Sequence, residues 1–210
     1  SVNSSANLCH LAYLQGLVDA GAHVSSLSID PADYPADLSM KIPDEIDRHY
    51  IRAISLYERL SHFKKGMSSA DEQHTEGTVA TPSRQPDGLI QSIKSRIRAL
   101  YGPYGMDKVF YQKCKRFSCD VSFDLVISIS HPPVSHLAAY RLLKTSRIKA
   151  KHWIQIWEDP WYSDVYGFNS QECVRREEKR LLSLAEKVCY VSPLTLRNQQ
   201  KLFPESAEKM

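Results

Sequence analysis

Trp153-Ile154-Gln155-Ile156-Trp157-Glu158-Asp159-Pro160-Trp161 is the stretch that decides how this chain is read. It holds all three tryptophans of the protein. Its first half alternates with period two, as a strand with one face in a core does. Two adjacent carboxylates then meet Pro160, which restricts Asp159 to extended backbone. A buried strand that breaks off in this way delivers polar groups to the mouth of an α/β site.

The neighbouring segments repeat the pattern. Phe123 to Ile129 is a near-continuous apolar run of the kind found in buried parallel sheets. Ser130-His131-Pro132-Pro133 breaks it, and Val134 to Thr145 predicts a helix carrying Leu137, Ala138, Leu142 and Leu143. Beyond the tryptophan stretch, a loop through Gly167 leads to a charged helix from Gln171 to Ala185, with Val174, Leu181, Leu182 and Ala185 on its apolar side. Lys187 to Val191 predicts a short strand. Ser192-Pro193 then opens a last helix with serine as N-cap and proline in the first turn. This β-α-β-α-β-α order implies parallel strands, right-handed crossovers and helices on both faces. Ligands bind beyond the carboxyl ends of such strands, which places Ser130, His131, Glu158, Asp159 and Ser192 on one rim.

Nearer the start, Leu8, Leu11, Ala12, Leu14, Leu17 and Val18 mark a helix from Ala6 to Ala20 with Gly21 as its stop. His23 to Ile29 predicts a strand. Helix, turn and strand form the tail of a β-α-β unit whose first strand is missing. With a strand before Ser1, Ser4 and Ser5 would sit at a helix N-terminus above the sheet, where they either bind an anion such as phosphate or simply cap the helix. Residues 30–48 are rich in Pro and Asp and predict a loop, followed by a short strand from His49 to Leu56. Residues 64–88 have few large apolar side chains and predict a flexible insertion. Helices are expected from Ile90 to Leu100 and from Met106 to Phe117. The expectation is one Rossmann-like domain over 1–210.

Composition narrows the function classes. The chain has 42% hydrophobic and 24% charged residues, an ordinary globular balance. No apolar run reaches the ~18–20 residues needed to span a bilayer, and the N-terminus has no signal-peptide pattern. A net charge of +3 lacks the concentrated basic face that nucleic acid demands. Basic residues do cluster around Lys108–Arg116 and Arg141–Lys151, either as solvated helix faces or as a surface for phosphates or anionic lipid headgroups. Five scattered cysteines without a CxxC argue for a reducing compartment and against a zinc site.

Several of these segments carry a resemblance. Asp124-Leu125-Val126-Ile127-Ser128 with His131-Pro132-Pro133 and His136-Leu137-Ala138 resembles the strand-turn-helix of GT-B glycosyltransferases of the family 4 type. Glu158-Asp159-Pro160-Trp161 is similar to the Asp-Pro-Trp loop of that group, where an arginine often replaces the glutamate. Glu177/Glu178, Leu181-Leu182, Ala185-Glu186-Lys187-Val188 and Val191-Ser192-Pro193 resemble its next helix and strand, and Leu17 to Val24 its first helix and second strand. The likeness is good from 120 to 203, fair from 1 to 30, and absent between.

The resemblance implies the N-terminal, acceptor-side half of a GT-B fold, lacking its first strand, with the donor-binding C-terminal Rossmann domain outside residues 1–210. It implies transfer of a sugar from a nucleotide-sugar to a glycan, lipid-linked or small-molecule acceptor, with retention and without a metal or other cofactor. Such an enzyme would be cytoplasmic, with peripheral contact at the inner face of the membrane through basic patches. Residues 1–210 alone are expected not to turn over. The competing class is a non-catalytic Rossmann-like or flavodoxin-like binding or regulatory module.

The site residues each carry two readings. Asp159 either steadies positive charge at the sugar and hydrogen-bonds its hydroxyls, or only fixes the loop. His131 contacts donor phosphate or acceptor, or is a turn histidine. Both also qualify as a general base for an inverting reaction. Glu158 and Trp161 are candidate sugar contacts, Trp161 by stacking, and Ser130 and Ser192 complete the rim. Glu177 and Glu178 either form surface ion pairs or brace the Asp-Pro-Trp loop.

Overall fold

The structure, a computed structural model, describes residues 5–30, 41–53, 102–130, 133–163 and 171–210. The chain divides into two compact units, one of residues 1–53 with 110–210 and one of residues 54–109. In the second unit the described part is a 3-10 segment, Gly102–Asp107, and the start of the helix that follows it. The insertion expected at 64–88 and the helix expected at 90–100 lie outside the described residues.

The first unit opens with α1 (Ser5–Asp19), followed by β1 (Ser25–Ile29) and β2 (Asp47–Ile51). Gly21 ends α1 with φ +79°, a left-handed conformation that suits a residue without Cβ. Its N–H donates to the Val18 carbonyl, and that of Ala22 to Leu17, closing the helix in a Schellman motif. Strands β1 and β2 pair in parallel, with Ser25 opposite Asp47. That register starts β2 two residues before the expected His49.

Helix α2 (Lys108–Cys114) is shorter than expected at both ends, since residues up to Asp107 belong to a 3-10 segment with Gly105 outside helical geometry and the chain turns after Cys114. Then come β3 (Ser122–Ser130), α3 (Val134–Lys144), β4 (Lys149–Trp157), α4 (Glu172–Leu184), β5 (Lys187–Tyr190), α5 (Pro193–Leu202) and a final 3-10 segment, Pro204–Lys209. Ser192 caps α5 as its sequence indicates, its hydroxyl accepting from the Leu194 and Thr195 N–H groups. Strands β3, β4 and β5 form a parallel sheet in that order. The fold is therefore α/β and Rossmann-like, with every described strand pair parallel. The strands fall into two small sheets where one was expected, since no described strand pairs with the outer edges of β1 and β3.

The core lies on one face of the three-stranded sheet. Trp153, Gln155 and Trp157 project to that face from β4 and are buried. Ala139 of α3 and Ala185 after α4 close over Trp153, and Tyr140 stacks on it with ring centroids 6.3 Å apart. The buried polar groups of this face are matched to one another. Trp153 Nε1–H donates to Ser128 Oγ at 2.9 Å, and Ser128 Oγ shares a 2.8 Å hydrogen bond with His136 Nδ1. Trp157 Nε1–H donates to Gln155 Oε1, and Gln155 Nε2 to the Leu181 carbonyl, both at 2.9 Å. The His136 ring packs on Trp157 at 4.4 Å.

Ser128→Ala should therefore cost about 2–4 kcal/mol, because two buried polar groups lose one shared partner. Urea denaturation measures this, and a loss below about 0.5 kcal/mol would show the hydroxyl to be dispensable.

Candidate functional site

The carboxyl ends of β3 and β4 form the predicted rim. Ser130 stands opposite Trp157 in the parallel register and is fully buried, and its hydroxyl has no partner among the described residues. Ser135, in the first turn of α3, donates its hydroxyl to the Ile129 carbonyl and ties the helix to the strand end. Glu158 follows β4 directly. Its Oε2 meets His10 Nε2 of α1 at 3.1 Å, with side-chain exposures of 12% for the glutamate and 31% for the histidine. A carboxylate only accepts, so Nε2 carries the shared proton. The other carboxylate oxygen, Oε1, is buried and unpartnered. Tyr13 lies one turn from His10. Burial, and then the Glu158 charge, hold its phenol above the usual value.

Asp159 is exposed, whereas Pro160 and Trp161 are buried, so the turn offers one carboxylate outward and anchors itself with its next two side chains. The anchor is Glu178. This side chain comes from α4, is fully buried, and accepts from the backbone N–H groups of Trp161 and Tyr162. Glu177, its neighbour, lies off the apolar stripe and forms a forked pair with Arg180 at 2.6 and 2.7 Å. The two readings of these glutamates are thus divided between them, with surface pairing at 177 and the loop brace at 178.

The other candidates fall as follows. Trp161 is 5% exposed, which leaves little of its ring for a sugar to stack on. Ser192 is engaged as the α5 cap. Ser5 begins α1, while Ser4 and His131 lie outside the described residues. His136 is a core residue in the Ser128 network. Among the described residues no three His, Cys, Asp or Glu side chains converge as a metal site, and no helix is long and apolar enough to cross a membrane. His10 and Tyr13 were not picked out from the sequence. Their three-residue spacing on an otherwise leucine-rich helix was the available signal, but the partner stands 148 positions away.

Comparison with protein-family models, curated proteins and solved structures finds no match.

Two buried groups give the site a pH signature. Burial pushes the Glu178 carboxyl from 4.5 up to about 7, partly opposed by the two backbone N–H groups. Burial lowers the His136 imidazole from 6.5 to about 3. Between pH 4.5 and 7 the folded state keeps a proton on Glu178 that the unfolded chain has lost, so stability falls as pH rises. Between pH 3 and 6.5 the unfolded chain holds the extra proton at His136, so stability rises with pH. The two trends oppose each other wherever they overlap. Subtracting the stability of Glu178→Gln from that of the wild type cancels the histidine contribution. The difference should fall by about 3 kcal/mol from pH 4.5 to 7 in urea titrations. A constant difference across that range would contradict the buried-carboxyl assignment.

Proposed function

We propose that the chain is the acceptor-side, N-terminal domain of a GT-B glycosyltransferase. The reaction moves a sugar from a nucleotide-sugar to a hydroxyl of a glycan, lipid-linked or small-molecule acceptor, with retention. The observation that carries this reading is the braced Glu158-Asp159-Pro160-Trp161 turn. It stands at the carboxyl end of β4, holds Asp159 outward, and is fixed from behind by the α4 glutamate. The family motifs fall in order on matching elements: a strand with its following helix, the turn after the next strand, then a charged helix and the strand after it.

In this reading the bond between the anomeric carbon and the donor phosphate oxygen breaks, the acceptor oxygen takes its place, and the acceptor proton passes to a base. Asp159 faces the positive charge that develops at the sugar, where a preorganised carboxylate acts most strongly. His131, three residues before Val134 in the sequence, contacts donor phosphate or acceptor. Glu158, held by His10, and the buried Ser130 support the rim from below, and Asp159 offers its exposed side chain to sugar hydroxyls. The second Rossmann domain of the same protein binds most of the nucleotide-sugar, and the family resemblance implies a reaction without a metal or other cofactor. The setting is cytoplasmic, at the inner face of the membrane.

Asp159→Ala in the complete enzyme should lower kcat/KM about 10²-fold. Because the side chain is exposed, the thermal midpoint should stay nearly unchanged. Nucleoside diphosphate release from a nucleotide-sugar panel measures the first and a thermal melt the second. Undiminished release by the variant would return Asp159 to a loop-fixing role, and no release by the wild type would favour the binding-module class.

A further inference from the structure

A second site lies at the opposite end of the three-stranded sheet from the rim. The turn that follows α2 and the turn between α3 and β4 border an open cavity of about 540 Å³, lined by Lys115, Arg116, Arg141, Thr145 and Arg147. Four of the five lining residues are cations, the fifth is a hydroxyl, and none is a carboxylate. The backbone holds the arrangement. Arg116 N–H donates to the Lys113 carbonyl, Arg147 N–H to Leu142, and Cys119 N–H to the Arg147 carbonyl at 2.9 Å, which joins the two turns. Ser146 takes a left-handed φ of 53° just before Arg147 and closes α3 with the same motif that Gly21 gives α1. The Arg141 guanidinium is held over the Tyr111 ring at 4.7 Å.

A plainer account is that cations collect at the negative ends of helix dipoles. It covers Arg141, in the last turn of α3, and Lys115 and Arg116, just past α2, but it does not account for cations from two separate helix ends meeting round one cavity. Some cations elsewhere in the chain pair with carboxylates, as in Lys151 with Asp124, Lys179 with Glu205 and Arg180 with Glu177. None of the four cavity cations forms an ion pair with a described carboxylate. Like charges gathered round one cavity repel, and an anion inside it removes that cost. Arginine forks match phosphate oxygens two at a time, and the volume lies within the usual range for small-ligand sites.

We propose that this cavity binds a phosphate-bearing anion, either a soluble diphosphate or the phosphate of a lipid headgroup. The site is separate from the rim and does not rest on the sugar-transfer reading. Inorganic pyrophosphate titrated into the full chain should bind at a single site, shifting the amide resonances of residues 115, 116, 141, 145 and 147. Affinity should drop at least about tenfold in the double variant R116Q/R147Q. It should also weaken between about 0.05 and about 0.5 M salt. Both arginines are exposed, so the ligand-free variant should melt at the wild-type temperature or above it. If pyrophosphate leaves the resonances unmoved, vesicles of phosphatidylcholine with phosphatidylglycerol, and not of phosphatidylcholine alone, should retain the wild type and release the double variant. That outcome assigns the same chemistry to a lipid. The proposal is overturned if neither probe binds, or if the double variant binds either probe as well as the wild type.

Discussion

A single buried carboxylate sets the geometry of the rim. Glu178 stands on the inward stripe of α4 with Val174, Leu181 and Leu182, where an apolar side chain would be expected. An unpaired charge there would be prohibitive, and the fold meets the problem in two ways. Burial raises the carboxyl so that it keeps its proton more readily, and the N–H groups of Trp161 and Tyr162 supply the hydrogen bonds it lacks from water. Both donors belong to the turn after β4. The side chain that solves its own desolvation thereby fixes where that turn lies and where Asp159 emerges.

The layer beneath the rim follows the same rule. The β4 residues facing the helices are tryptophan, glutamine and tryptophan, and each polar atom among them has a defined partner, Ser128 for Trp153, the Leu181 carbonyl for the Gln155 amide nitrogen, and Gln155 Oε1 and Trp157 Nε1 for each other. Matched buried polar groups specify one packing arrangement, since any register shift leaves several of them unpaired. The exceptions, Gln199 Oε1 of α5 apart, gather toward the sheet's carboxyl end. Ser130 Oγ, Glu158 Oε1 and Tyr190 Oη are buried without partners among the described residues, as is His136 Nε2 just below them.

Much of the fold was legible in the sequence because strands β3, β4 and β5 announce themselves by apolar runs and the helices between them by apolar residues at helical spacing. Ser192-Pro193 and Gly21 behave as their chemistry dictates. The split into two sheets was not legible, since which strand edges stay unpaired depends on long-range assembly and not on local pattern. Of the site, the carboxylate turn was visible, and so was the ambiguity between Glu177 and Glu178. The apolar stripe at 174, 178, 181, 182 and 185 held the answer, because it passes through Glu178 and misses Glu177. The pairing of His10 with Glu158 joins residues 148 positions apart and leaves no local trace. Likewise, the basic segments near 115 and 147 were plain in the sequence, but their meeting around one cavity is a product of the fold.

Amide hydrogen exchange at Trp161 and Tyr162 tests the central constraint most directly. If Glu178 holds the turn, both amides are protected in the wild type, and Glu178→Ala frees them while the amides of β4 stay protected. Fast exchange at both positions in the wild type, or protection that survives the substitution, would contradict the account.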